Sequence, residues 1–149
     1  MIMTNLSTLL SDDKEPAFVD DLAEFVDATV EKQSGISGMA LKGAMATARK
    51  IDDDAVRRAT RYVLPAMLKE LQPYWDDYEA SVAPDFGEFV APRSVELADG
   101  VMRVADDKAN ALNNRAMQKV YATVRSRITK VIEPEVPALG RILEDHMSS

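Results

Sequence analysis

Apolar residues recur along this chain at the three- and four-residue spacing of one helix face. No segment shows the two-residue alternation of a half-buried strand. That periodicity confines the chain to an all-α fold. Phe18, Leu22, Phe25, Val26 and Val30 share one face, with Asp20, Glu24, Asp27 and Glu31 opposite. Val56, Ala59, Val63, Met67 and Leu71 make a second stripe, and Leu97, Val101, Val104, Ala105 and Leu112 a third. The longest runs through Met117, Val120, Tyr121, Val124, Ile128, Val131 and Ile132.

The breakers between these stripes set the expected boundaries. A short helix over 4–10 precedes Ser11, Asp12, Asp13 and Pro16, a capping cluster with a proline in the first turn. Gly35 suits the end of the first long helix. The next, about Ser37 to Lys50, is rich in small residues (Gly38, Ala40, Gly43, Ala44, Ala46, Ala48) and is expected to be a tightly packed central helix. Asp52, Asp53 and Asp54 open the third, whose Pro65 lies opposite its stripe and is expected to kink rather than break it. Pro73 should end or redirect that helix, and Pro134 and Pro137 should end the last long one before a short final helix carrying Leu139, Ile142 and Leu143. Residues 80–92 read as an irregular connection, with a turn at Asp85–Val90 that places Phe86 and Phe89 on the core. The expectation is one domain of 149 residues, a bundle of about six to eight helices with short loops.

Composition narrows the function classes. The formal net charge is −7, which sets the overall field against nucleic acid and anionic membranes. There is no cysteine, so thiol catalysis, zinc–thiolate sites and iron–sulfur ligation are excluded. Met1 to Leu10 lacks the basic and apolar regions of a leader, and no stretch is long and apolar enough for a membrane span. The expected compartment is the cytoplasm.

Lys32-Gln33-Ser34-Gly35-Ile36-Ser37-Gly38, Leu64-Pro65, Leu71-Gln72-Pro73-Tyr74-Trp75, Phe86-Gly87-Glu88-Phe89 and Val136-Pro137-Ala138-Leu139-Gly140 occur in this order along most of the chain. In these stretches the chain resembles an uncharacterised family of short, mostly actinobacterial proteins catalogued as a domain of unknown function. The resemblance implies that the whole chain is one unit. It implies no activity, cofactor or catalytic residue.

The residues themselves nominate little catalysis. One histidine, His146, stands near the end, where chains are usually poorly ordered. Among the paired acids the triplet Asp52–Asp54 lacks the glycine and glutamate of a calcium loop; it and Asp12-Asp13 are read as helix caps, Asp20-Asp21 and Asp106-Asp107 as lying on or beside solvated helix faces, so no metal or cofactor is expected. No serine lies in a nucleophile elbow, and Ser34-Gly35-Ile36-Ser37-Gly38 lacks the Lys-Ser/Thr ending of a phosphate loop. Charge is uneven: Lys108 to Ile132 holds Lys108, Arg115, Lys119, Arg125, Arg127, Lys130 and no acid. Arg115, Lys119 and Lys130 point away from the apolar stripe, with Arg125 and Arg127 flanking it. That face suits either simple solvation or docking of an acidic partner or a second copy. Lys108 falls in line with an apolar stripe and is expected to snorkel or to pair. Tyr74, Trp75 and Tyr78 form an aromatic group that either closes one end of the bundle or contacts a ligand.

The leading expectation is a non-enzymatic cytoplasmic interaction or scaffolding protein, with self-association as one form. The alternatives are a binding module for a small apolar ligand, held between the small-residue helix and the aromatic group, and an enzyme with dispersed Asp, Glu and Arg side chains.

Overall fold

The structure, a computed structural model, describes residues 5–148. Met1–Thr4, part of the segment read for a leader and for the first short helix, lie outside the described residues. Six α-helices follow an N-terminal 3-10 helix, Leu6–Leu10: α1 (Glu15–Lys32), α2 (Gly35–Ile51), α3 (Ala55–Glu79), the short α4 (Phe86–Val90), α5 (Ser94–Ala111) and α6 (Arg115–Ser148). Five of these are long, slightly below the six to eight helices expected, and no strand occurs among the described residues.

Proline accounts for the lower count. Pro73 sits inside α3, and Pro134 and Pro137 sit inside α6, which runs for 34 residues, roughly 50 Å at the ordinary helical rise. Pro65, Pro73 and Pro134 are exposed, so the carbonyl each leaves unpaired faces water, and the helix continues. The irregular 80–92 connection resolves as expected: Asp85 accepts the Glu88 N–H at 2.7 Å to cap α4, and Phe86, Phe89 and Val90 are buried. Asn114 caps α6 through the Met117 N–H (3.1 Å).

Two stripes differ from the expected ones. In α3 the buried side chains are Ala55, Leu64, Leu68, Leu71 and Trp75, while Ala59 is exposed and Val56, Val63 and Met67 are half-buried. The stripe read from the sequence and the stripe that is buried share Leu71. The one carrying the larger side chains faces the core, because it removes more apolar area from water. In α2 only Gly38 and Leu41 are buried, and Met39 is 76% exposed. The small-residue helix is therefore peripheral, not central. It packs mainly on α6, with lesser contact to α1 and α3.

The main core joins Leu6 and Leu9, Phe18, Val19 and Leu22 of α1, Leu64, Leu68, Leu71 and Trp75 of α3, α4, Leu97, Ala98 and Val101 of α5, and Val136 and Leu143 of α6. The first half of α6 carries a long stripe, but only Val124 is buried there. Close approach of backbones occurs at α4 on α6. A Cβ on Gly87 would lie 2.9 Å from the Pro137 carbonyl oxygen, and one on Gly140 would lie 3.3 Å from the Gly87 Cα. Around Gly43 a Cβ would meet nothing within 4 Å.

Opposite outcomes follow for two glycines. Gly43→Ala is expected to stabilise the protein by up to ~1 kcal/mol, the propensity gain at an open helical position. Gly87→Ala is expected to destabilise it by about 1 kcal/mol or more, the low end for overpacking against backbone. Urea melts of both variants beside wild type measure the two shifts.

Candidate functional site

Three features could serve a function: the aromatic group, a polar groove beside α1, and the basic outer face of α6.

The aromatic group is built into the bundle end. Trp75 is 5% exposed and meets Phe86 edge-on, with ring centroids 5.0 Å apart. Tyr78 lies 5.2 Å from Trp75 and 5.4 Å from Phe86. Its hydroxyl donates to Glu144 Oε2 at 2.7 Å, while Glu144 Oε1 accepts the Phe86 N–H at 3.0 Å. Burial first, and then the Glu144 carboxylate, push the Tyr78 phenol up to about 12. Tyr74 is half-buried, and burial together with Glu96 raises its phenol as well. Beside these rings, Leu71, Phe86, Val90, Leu97, Val136, Leu139, Gly140 and Leu143 line a void of about 10 Å³. That is the room of one water, not of an apolar ligand.

The groove, about 270 Å³, lies between α1 and the α2–α3 link. Asp20, Glu24, Asp27, Asp53 and Asp54 line it with Arg49 and Arg57, over Ala23 and Val56. Much of its charge is already matched: Arg49 bonds Asp27, and Arg57 bonds Asp20 and reaches Asp54 at 3.8 Å. The acid triplet does not cap α3 through Asp54. Instead Asp52 Oδ1 accepts the Asp54 N–H (2.9 Å) in a local turn, and Asp52 pairs with Arg58 at 3.0 Å. Nor do Asp12 and Asp13 cap α1, whose N-cap position is Lys14 with no side-chain cap.

On α6 the five basic candidates divide. Arg125 is exposed but engaged: its Nε and Nη2 donate to the two oxygens of Asp106 at 2.7 and 2.6 Å, and the Tyr121 hydroxyl donates a third bond to Asp106 at 2.7 Å. The Arg125 hydrogen bonds, opposed by burial and helped by Tyr121, hold the Asp106 carboxyl below its ordinary value of 3.8. Burial and Asp106 raise the Tyr121 phenol. Arg127 is half-buried, and its Nε is enclosed without a hydrogen-bond partner. Arg115, Lys119 and Lys130 are exposed and have no ion pair among the described residues. They span about 22 Å of one helix face. Lys108 places its ammonium 5.2 Å over the Tyr62 ring, and Tyr62 donates to the Lys108 carbonyl at 3.1 Å.

One residue behaves unlike its sequence position. His146 is not frayed: its Nε2 lies 2.6 Å from Asp21 Oδ2, and its ring packs on Phe18 with centroids 5.1 Å apart. Lys14 Nζ donates to the His146 carbonyl at 3.2 Å. Only the continuity of α6 through its prolines carries His146 back to α1, and proximity to the chain end concealed this.

A family profile described as a family of unknown function, DUF6918, matches residues 6–147. The chain belongs to that family. No curated protein and no solved structure matches it. The stretches that carried the resemblance are joints of this fold. Phe86–Phe89 crosses Val136–Gly140, Trp75 packs on Phe86, and Gly35 turns the chain between α1 and α2 with φ +70°.

The Asp106 clamp ties stability to pH. Asp106 is depressed in the folded state, so its contribution is complete above the unfolded carboxyl value and is lost as pH falls through the folded one. Asp106→Asn is expected to cost ~1 kcal/mol near pH 7. Denaturant melts at falling pH should show the gap to wild type beginning to close near the ordinary carboxyl value of 3.8 and continuing to close below it.

Proposed function

We propose that this chain is a non-enzymatic interaction module that docks an acidic segment of another protein on the outer face of α6. The carrying observation is the state of Arg115, Lys119 and Lys130. They stand exposed on one face of a helix whose first 18 residues hold no acid, and no carboxylate among the described residues engages them. Arg125, by contrast, is spent on Asp106. The face lies opposite the apolar stripe of α6, so a partner can reach it without opening the fold. In a chain of net charge −7 such a face gives orientation and selectivity: an acidic helix of similar length is attracted locally, while the molecule as a whole repels extended polyanions. The filled aromatic end gives the ligand-binding alternative no comparable support. The cytoplasm is the compartment in which we place this activity.

Capture of partners from native lysate by wild type and by Arg115→Glu/Lys119→Glu/Lys130→Glu tests the reading. The triple variant should keep its melting behaviour within about 0.5 kcal/mol, as surface substitutions do. It should lose a set of captured proteins that high salt also removes from wild type. An identical captured set for both chains would refute this docking face.

A further inference from the structure

A different surface points to a second copy of the chain. The outer face of α1 reads Ala17, Asp21, Glu24, Ala28 and Glu31, at spacings of four and three, and all five are exposed, with Asp21 engaged by His146 of α6. The outer face of α2 reads Ile36, Met39, Gly43, Ala46 and Lys50, at spacings of three and four, and all five are exposed too. Alternating spacings of this kind make the seam of a helix pair. Ile36 is 80% and Met39 76% exposed, an unusual placement for two large apolar side chains on one helix. Gly43 and Ala46 on α2, with Ala28 on α1, leave room for close helix approach.

The two faces are opposite in charge. Helix α1 holds six acids and one base, and α2 holds Lys42, Arg49, Lys50 and no acid. Glu24 and Glu31 on one, and Lys42 and Lys50 on the other, have no ion pair among the described residues. The carboxylates lie seven residues apart and the ammoniums eight, about 10 and 12 Å along their helices. The faces are also neighbours. Only Gln33 and Ser34 separate the two helices, both helices contact α6, and the Arg49–Asp27 bridge joins them where both side chains are nearly half exposed. Within one copy they sit side by side and cannot cover each other. Across a two-fold axis they can.

We infer that the chain forms an isologous dimer in which the basic, apolar face of α2 from each copy lies on the acidic face of α1 from the other. Lys42 and Lys50 meet Glu24 and Glu31, and Met39 and Ile36 fill the seam. Two helices of 17 and 18 residues present a patch at the low end of interface sizes, so association is weak and concentration-dependent.

Sedimentation equilibrium on the full chain from about 10 to 500 µM at low salt tests this. Wild type should rise from 16.4 kDa toward twice that mass, and added salt should reverse the rise. Glu24→Lys/Glu31→Lys and Lys42→Glu/Lys50→Glu should each stay monomeric, because every contact becomes like-charged. Mixed one to one, the two variants should dimerise again, since all contacts then pair opposite charges. Met39→Glu alone should weaken the wild-type dimer, which covers the case of a charge variant that fails to fold. Wild type remaining monomeric across the range would overturn the inference. So would charge variants that dimerise as wild type does, a mixture that stays monomeric, or loss of the dimer in the α6 variant Arg115→Glu/Lys119→Glu/Lys130→Glu. That last variant probes the α6 face alone, so failure of partner docking and failure of dimerisation are separately visible.

Discussion

The crossing of α4 over α6 at Gly87 and Gly140 is the contact on which the rest of the structure depends. Two backbones approach so closely there that a Cβ on Gly87 would press against the Pro137 carbonyl oxygen. The approach seats Phe86, Phe89 and Val90 in the main core, and through Phe86 it engages Trp75 and Tyr78 of α3. Glu144 pins the crossing from the side by holding both the Phe86 N–H and the Tyr78 hydroxyl. Five short residues of α4 thereby tie α3 to the far half of α6. A short helix can carry that role because three of its five side chains are large and buried and a fourth is absent.

That joint requires α6 to be continuous, and its continuity has consequences at both ends. Past the prolines, α6 brings His146 and Met147 back to α1 and to the 3-10 helix Leu6–Leu10. Before them, α6 runs beyond the dense core and is fastened to α5 through Gln118, Tyr121 and Arg125. The covered stripe is mostly half-buried there, and charged clamps such as Asp106–Arg125–Tyr121 supply specific fastening where apolar packing thins. The molecule is thus densely packed around the α4–α6 crossing and more loosely packed along the first half of α6. Local stability should follow the same gradient, since few buried contacts mean low opening free energies.

Much of this was legible in the sequence. The helical periods, the cap at Asn114, the turn at Asp85–Val90 and the outward placement of Arg115, Lys119 and Lys130 follow from local rules that the fold does not override. Other features were hidden because local rules left two answers open. The α3 segment offers two stripes sharing Leu71, and only the neighbouring helices select between them. Small residues mark close approach at Gly87 and Gly140 but mark open surface at Gly43, and nothing within a single helix tells these apart. Arg125 and Arg127 both flank the apolar stripe of α6, and only the Asp106 carboxylate, brought within reach of Arg125, separates them. Trp75 and Tyr78 look alike in the sequence, but in the fold Trp75 is buried edge-on against Phe86 and Tyr78 is tied to Glu144.

By itself the sequence determined the all-α class, the segments that become helices and the separation of acidic from basic stretches, because each depends on residues within a few turns of one another. Tertiary structure decided whether prolines end a helix, which glycines bear contact and which charges are spent internally. A proline costs a helix one hydrogen bond and a steric clash, and packing along the rest of the helix decides whether the helix survives it. A glycine or an arginine acquires its role from an atom supplied by a distant segment. Those partners, the Pro137 carbonyl for Gly87 and the Asp106 carboxylate for Arg125, meet them only in the folded chain.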